Sequence, residues 1–168
     1  MGKVIGIGGV SRAGKTSLAQ RISDWLPNQK VKILHQDDYV IPKSKMPLVR
    51  GQIDWENPDS LDFASFREEI LKVQKEYDYI IAEGLMVYWN PEVYQLFDKS
   101  IFIEISKETF LNRKTLDFRW ENEPDWYIEH IWNNHFVYGR TPENMRDVLC
   151  MSGENQFISD IVKHYLED

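Results

Sequence analysis

Gly9-Val10-Ser11-Arg12-Ala13-Gly14-Lys15-Thr16 fits the pattern G-x-x-x-x-G-K-[ST] at every fixed position. The apolar run Val4–Gly8 precedes it and reads as a strand, and Thr16–Leu26 follows as an amphipathic helix stopped by Pro27. Each residue type in the loop has a physical reason. The glycines let the backbone curl so that its N–H groups converge on phosphate oxygens, and the helix N-terminus adds a favourable dipole. Lys15 is placed to reach β- and γ-phosphates, and the Thr16 hydroxyl is placed to ligate Mg²⁺. Ser17 completes the candidate nucleotide-binding stretch Gly9, Val10, Ser11, Arg12, Ala13, Gly14, Lys15, Thr16 and Ser17. A dinucleotide fingerprint beginning at Gly6-x-Gly8 fails, because position 11 is Ser where a third glycine is required.

Working outward, short apolar runs alternate with amphipathic stretches. Strands are expected at Val31–Leu34, Tyr79–Ala82, Ile101–Ile105 and Val148–Met151. Helices are expected from the Asn57-Pro58 cap to about Tyr77, from Asn90-Pro91 to about Phe97, and from Ser106 to about Trp120. Two more are expected from Pro124 to about Tyr138 and at the C-terminus, ending near Leu166. Strands that are apolar throughout and separated by helices imply a five-stranded parallel sheet covered on both faces, the three-layer P-loop NTPase arrangement. Such sheets bind ligands at the carboxyl ends of their strands. With 168 residues and no repeat or linker, the chain reads as a single domain.

Composition narrows the partners. The formal charge of −7 argues against a nucleic-acid partner, since phosphate backbones are gripped by a surplus of Lys and Arg. No apolar run reaches membrane-spanning length, and the start Met1-Gly2-Lys3-Val4-Ile5-Gly6 is too short and glycine-broken for a signal peptide. A single cysteine, Cys150, excludes an internal disulfide, so a cytoplasmic location is expected. The four histidines show no metal-ligand spacing and read as structural, Trp120, Trp126 and Trp132 read as helix-packing residues, and Cys150 reads as an inert residue of an apolar strand.

Two acidic features follow strands. Gln36-Asp37-Asp38-Tyr39 comes after the second strand, and either aspartate could orient a hydroxyl and take its proton in phosphoryl transfer. Glu83 ends the run Tyr79-Ile80-Ile81-Ala82, where an acid beside a phosphate loop is placed to hold Mg²⁺ directly or through water.

These residues together resemble the uridine kinase-like P-loop kinases, and among them the nicotinamide riboside kinases. The resemblance runs through Gly9–Leu18, Leu26-Pro27-Asn28, Gln36–Tyr39, Gly51–Leu61, Ile81–Gly84 and Pro124–Arg140. It implies an ATP-Mg²⁺ kinase acting on a nucleoside 5′-hydroxyl, with Asp37 as base near the metal and Thr16 and Glu83 as the other magnesium-associated groups. It places Asp37, Asp38, Tyr39, Trp55 and Glu56 around the acceptor, the Trp55 ring on the base and the Glu56 carboxylate on the ribose hydroxyls. It also implies a lid at about 112–124, in which Arg113 and Arg119 face the nucleotide and Lys114 stands where the riboside kinases tend to carry another arginine. The residue chemistry agrees with this. One carboxylate can accept from two vicinal hydroxyls, and Trp is the best cation–π partner for a pyridinium, although a neutral pyrimidine can stack on it too. An arginine on a closing lid can stabilise charge on a moving phosphoryl group. The plainer alternative for Arg113 is an ion pair with Asp117 one helical turn on.

Rival classes lack their marks. A regulatory GTPase would need Asp-x-x-Gly after a strand and an Asn/Thr-Lys-x-Asp motif, and the sequence has neither. The short chain and acidic balance disfavour a nucleic-acid ATPase. Lys15, Thr16, Asp37 and Glu83 weigh against a binding module without catalysis.

Overall fold

The computed structural model describes residues 1–117, 123–154 and 159–167. Seven strands and six α-helices follow one another in the order β1 (Lys3–Gly9), α1 (Lys15–Asp24), β2 (Val31–His35), β3 (Leu48–Val49), β4 (Gln52–Ile53), α2 (Phe63–Val73), β5 (Tyr79–Gly84), α3 (Pro91–Tyr94), β6 (Lys99–Glu104), α4 (Lys107–Thr115), α5 (Asp125–Asn134), β7 (Val148–Ser152) and α6 (Ser159–Glu167) among these residues. Five of the strands form one parallel sheet in the spatial order β2-β5-β1-β6-β7. β1, which carries the phosphate loop, is therefore the central strand.

The alternation of side chains along each strand divides the core between two faces. Ile5, Ile7, Ile81, Ile101 and Ile103 point to one face and pack with Leu18, Ala19 and Ile22 of α1, Phe110 of α4, Ile131 of α5 and Val162 of α6. Val4, Ile80, Ala82 and Phe102 point to the other, against Phe66, Ile70 and Val73 of α2, Tyr88 of the turn before α3, and Val93 of α3. Burying each large apolar side chain contributes roughly 1.5–3 kcal/mol, so both layers are held chiefly by this packing. Tyr88 is buried with its hydroxyl between the carbonyls of Gly6 and Ile101, at 2.9 and 2.8 Å, which fastens α3's approach to the middle of the sheet.

Several expectations need correction. Asn57 does cap, accepting from the Asp59 N–H, but it opens only the short 3₁₀ turn Pro58–Ser60. The α-helix starts later, at Phe63, because the Asp62 carboxylate accepts from the Ser65 N–H and makes a second, stronger N-cap. Ser106 caps α4 as expected, but the helix ends at Thr115 rather than near Trp120, which lies outside the described residues. α5 ends at Asn134 and passes into a π-helical turn over His135–Gly139, short of a regular helix to Tyr138. The β3–β4 hairpin escapes the sequence pattern because its strands have two residues each. Its turn has Arg50 at φ 49° and Gly51 at φ 79°, the positive pair that twist-matched two-residue hairpins require. Cys150 lies on the edge strand β7 and is exposed rather than enclosed in an apolar layer.

Candidate active site

The parallel register brings the site together. His35 pairs with Glu83 across β2 and β5, and Ile7 pairs with Glu83 across β1 and β5, so three carboxyl-end residues stand side by side below the phosphate loop. A cleft of about 570 Å³ opens above them. Volumes of this order suit a small-molecule ligand.

The loop leaves β1 at Gly9, whose φ of 150° is available to glycine. A side chain there would lie 2.6 Å from the Ile103 carbonyl oxygen, so the loop can pass this close to β6 only without a Cβ. Val10 and Ala13 are buried and anchor the loop from below, while Ser11, Arg12, Gly14, Lys15, Thr16 and Ser17 line the cleft. Arg12 is held at φ 66°, a region that costs an ordinary residue roughly 1–3 kcal/mol and persists only where the surroundings fix it. Arg113 supplies part of that fixing. Its guanidinium donates to the Arg12 carbonyl at 3.0 Å and to the Gly153 carbonyl at 2.6 Å, tying α4 to the loop and to the segment after β7. Asp117, expected opposite Arg113, lies 3.7 Å from Arg12. Lys15 is buried and its ammonium donates to the Val10 carbonyl at 2.9 Å, curled over its own loop.

Glu83 is buried and its Oε1 accepts from the Thr16 hydroxyl at 3.0 Å and sits 2.6 Å from His35 Nδ1. Asp37, on the 3₁₀ turn Gln36–Asp38, faces the same cleft. Desolvation by the surrounding protein pushes its carboxyl above the ordinary range. Lys15 opposes that shift, and Glu83 and Asp38 add to it. Thr16, Asp37 and Glu83 thus gather a hydroxyl and two carboxyls whose mutual repulsion a divalent cation would relieve. Among the described residues no cluster of three or more His, Cys, Asp or Glu forms a metal cage. Mg²⁺ does not require one, because it usually takes one or two carboxylates and completes its shell with phosphate and water. The donor set therefore fits the ion.

The far end of the cleft is lined by Val40, Trp55, Glu56, Leu85, Lys114, Glu123, Tyr127 and Ile131. Desolvation drives the Glu56 carboxyl up to about 8, against the opposing pull of Lys114, and Asp37, Asp54 and Glu123 push it the same way. Lys114 is buried and pairs with Glu123 at 2.8 Å. Lys43 places its ammonium 5.7 Å from the centre of the Trp55 ring. Asp38 and Tyr39, expected around the acceptor, are not among the lining residues, and Tyr39 packs its ring 5.0 Å from Phe66 of α2. Arg119 lies outside the described residues, as does much of the expected lid at 112–124.

Sequence reasoning missed four contributors. His35, which reads as structural in the sequence, braces Glu83; only the strand order reveals that the two strand ends are neighbours. Asp54, Tyr127 and His130 surround the backbone of Trp55 and Glu56, and their separation in the chain hides this. His135 lies in the turn after α5. It stacks on Phe102 with rings 5.8 Å apart, and burial pulls its pKa down to about 4. Trp132 packs on Phe110 of α4 as expected of a helix-packing residue.

A phosphate loop issuing from the central strand of a five-stranded parallel sheet, with a buried acid on the neighbouring strand, is the fold of the P-loop kinases. Whole-chain comparison agrees with the resemblance read from the motifs. The chain is 23% identical to uridine-cytidine kinase 2-B of Danio rerio, over 98% of this chain and 79% of that protein. It is also 23% identical to nicotinamide riboside kinase 2 of Homo sapiens, over 98% of this chain and 80% of that protein. A sugar kinase from Janibacter sp. HTCC2649 superposes with a TM-score of 0.63 at 15% identity, over 99% of this chain and 94% of that one, a likeness of fold. No protein-family model matches the chain. No helix among the described residues is long and apolar enough to cross a membrane.

Proposed function

We propose that this protein transfers the γ-phosphoryl group of ATP to the 5′-hydroxyl of a ribonucleoside, with nicotinamide riboside as the preferred acceptor. The observation that carries this reading is the composition of a single cleft. Lys15, Thr16 and Asp37 line one end, and Trp55 and Glu56 line the other. The names of the relatives, a uridine-cytidine kinase and a nicotinamide riboside kinase, support the nucleoside class.

In this reading the phosphate loop and Lys15 hold the β- and γ-phosphates, and Arg113 keeps the loop in its strained form while offering positive charge beside it. Thr16, Asp37 and Glu83 would hold Mg²⁺, which neutralises charge on the phosphates when bound. Asp37 receives the acceptor's proton as the new O–P bond forms. Its desolvated carboxyl is more basic than an exposed aspartate, which suits it to that task. Glu56 accepts from the ribose hydroxyls, and Trp55 stacks on the base. Trp55 lines the cleft and its ring is the best side-chain partner for a cationic base, which is the ground for placing nicotinamide riboside first.

A uridine or cytidine kinase is the second reading, favoured by the flat Trp55 ring, on which a neutral pyrimidine stacks equally well, and by the first relative's name. Transfer from ATP to each nucleoside, with the product identified as the 5′-monophosphate, tests the nucleoside class. ATP consumption that no nucleoside stimulates would overturn it.

A further inference from the structure

The segment carrying Trp55 and Glu56 has no regular secondary structure beyond the two-residue strand that ends at Ile53, so something else must set its conformation. One face of α5 does so. Tyr127, His130 and Asn134 stand at i, i+3 and i+7 and share that face. The Trp55 N–H donates to Tyr127 Oη at 3.0 Å, and that hydroxyl lies 3.5 Å from the Ile53 carbonyl. His130 Nε2 lies 2.8 Å from Asp54 Oδ1, and the same carboxylate oxygen accepts from the Glu56 N–H at 3.1 Å. Asn134 Nδ2 donates to the Glu56 carbonyl at 3.4 Å. From the opposite side, the Ser60 hydroxyl donates to the Asp54 carbonyl at 2.5 Å, and the Asp54 N–H donates to the Pro47 carbonyl at 2.9 Å. Asp54 is only 6% exposed, and neither it nor His130 lines the cleft. A buried carboxylate whose partners are a ring nitrogen and a peptide N–H is there to orient that peptide.

We propose that α5 latches the acceptor loop, and that the His130–Asp54 pair is its main fastening, acting as a positioning element for Trp55 and Glu56. This rests on the reading of Trp55 and Glu56 as acceptor contacts. The pair fixes the Glu56 peptide, and the peptide fixes where the Glu56 carboxylate and the Trp55 ring enter the cleft. Misplacing a binding group by about 1 Å can cost on the order of a hundredfold in rate, so such a latch has a kinetic consequence without touching the substrate.

The test compares the full-length wild type with His130→Ala and His130→Gln. Amide hydrogen exchange at residues 53–56 is measured without ligand, and the KM values for acceptor and ATP are measured with kcat. His130→Ala is expected to speed exchange at Glu56 and to raise the acceptor KM roughly tenfold, the effect of losing one hydrogen bond to a charged group. The ATP KM is expected to stay within about twofold, since the phosphate loop is untouched. His130→Gln, which keeps a donor toward Asp54, is expected to recover most of both changes. Unchanged exchange in His130→Ala, or an ATP KM that rises as much as the acceptor KM, would overturn the latch. Should His130→Ala fail to fold, Tyr127→Phe removes the hydroxyl that accepts from the Trp55 N–H and lies beside the Ile53 carbonyl. It is expected to speed exchange at Trp55 and raise the acceptor KM, and protection equal to wild type would overturn the proposal. If the wild type phosphorylates no nucleoside, the acceptor reading fails, while the exchange measurement still decides whether α5 holds the loop.

Discussion

The two ends of the cleft are built in opposite ways. At the phosphate end, one contiguous stretch supplies backbone donors, a lysine and a hydroxyl, and its conformation is set by glycine at positions such as Gly9 and by a short strand–loop–helix passage. At the acceptor end, side chains arrive from the loop after β4, from α4, from the segment before α5, and from α5 itself, and long-range hydrogen bonds set the geometry. The charges differ as well. Lys15, Arg12 and Arg113 gather around the loop, whereas the Trp55 end mixes Glu56 and Glu123 with Lys114. In the proposed reading, one end takes the triphosphate and the other the nucleoside.

Asp37 stands at the boundary, and removing its basicity should produce the largest effect. Asp37→Asn is expected to lower kcat by roughly two to four orders of magnitude, the usual span for a general base. ATP binding, followed by titration calorimetry, should stay nearly unchanged. Near-normal turnover would move the role to Asp38 or remove the need for a base.

Glu56 tests the acceptor end alone. Measured above pH 8, where its carboxyl is ionised, Glu56→Ala is expected to raise the acceptor KM roughly 10- to 100-fold, since hydrogen bonds to a charged group contribute roughly 1.5–3 kcal/mol. The ATP KM should hardly move, because Glu56 lies outside the Gly9–Thr16 loop. If both KM values rise together, the division of the cleft is wrong.

The smallest effect concerns pH. The Glu56 carboxyl titrates near 8 in the folded protein and near 4.5 when unfolded. The folded state therefore holds the proton more tightly, and between about pH 4.5 and 8 it carries more protons than the unfolded chain. Its contribution is most favourable below pH 4.5 and is lost as pH rises toward 8. Thermal unfolding of the ligand-free protein should show a loss on the order of 1–2 kcal/mol across that window, allowing for the solvent that reaches the cleft. Glu56→Gln should flatten that slope, and an identical slope in both proteins would mean that Glu56 is not the titrating group.

The same contrast explains what could be read from the sequence. The phosphate loop was legible because its function resides in local backbone conformation, which a few fixed residues specify. The parallel sheet was legible because doubly buried strands are apolar along their length, as Tyr79–Ala82 shows before Glu83 ends the run. The His35–Glu83 contact was not legible, because it depends on β5 inserting between β1 and β2, a matter of strand order. The place of Tyr39 was hidden for a related reason. It follows Asp37 in sequence, but the 3₁₀ turn at Gln36–Asp38 sends it toward Phe66 and away from the cleft. The α5 contacts with the Trp55 loop span more than seventy residues, and no spacing rule reports them.

The most direct test of the central claim is a comparison of kcat/KM for nicotinamide riboside, uridine and cytidine at saturating ATP-Mg²⁺. The account predicts phosphorylation of all or some of these at the 5′-hydroxyl, with nicotinamide riboside preferred. A tenfold or greater preference for a pyrimidine nucleoside would contradict the assignment of Trp55 to a cationic base, and no transfer to any of the three would contradict the nucleoside kinase itself.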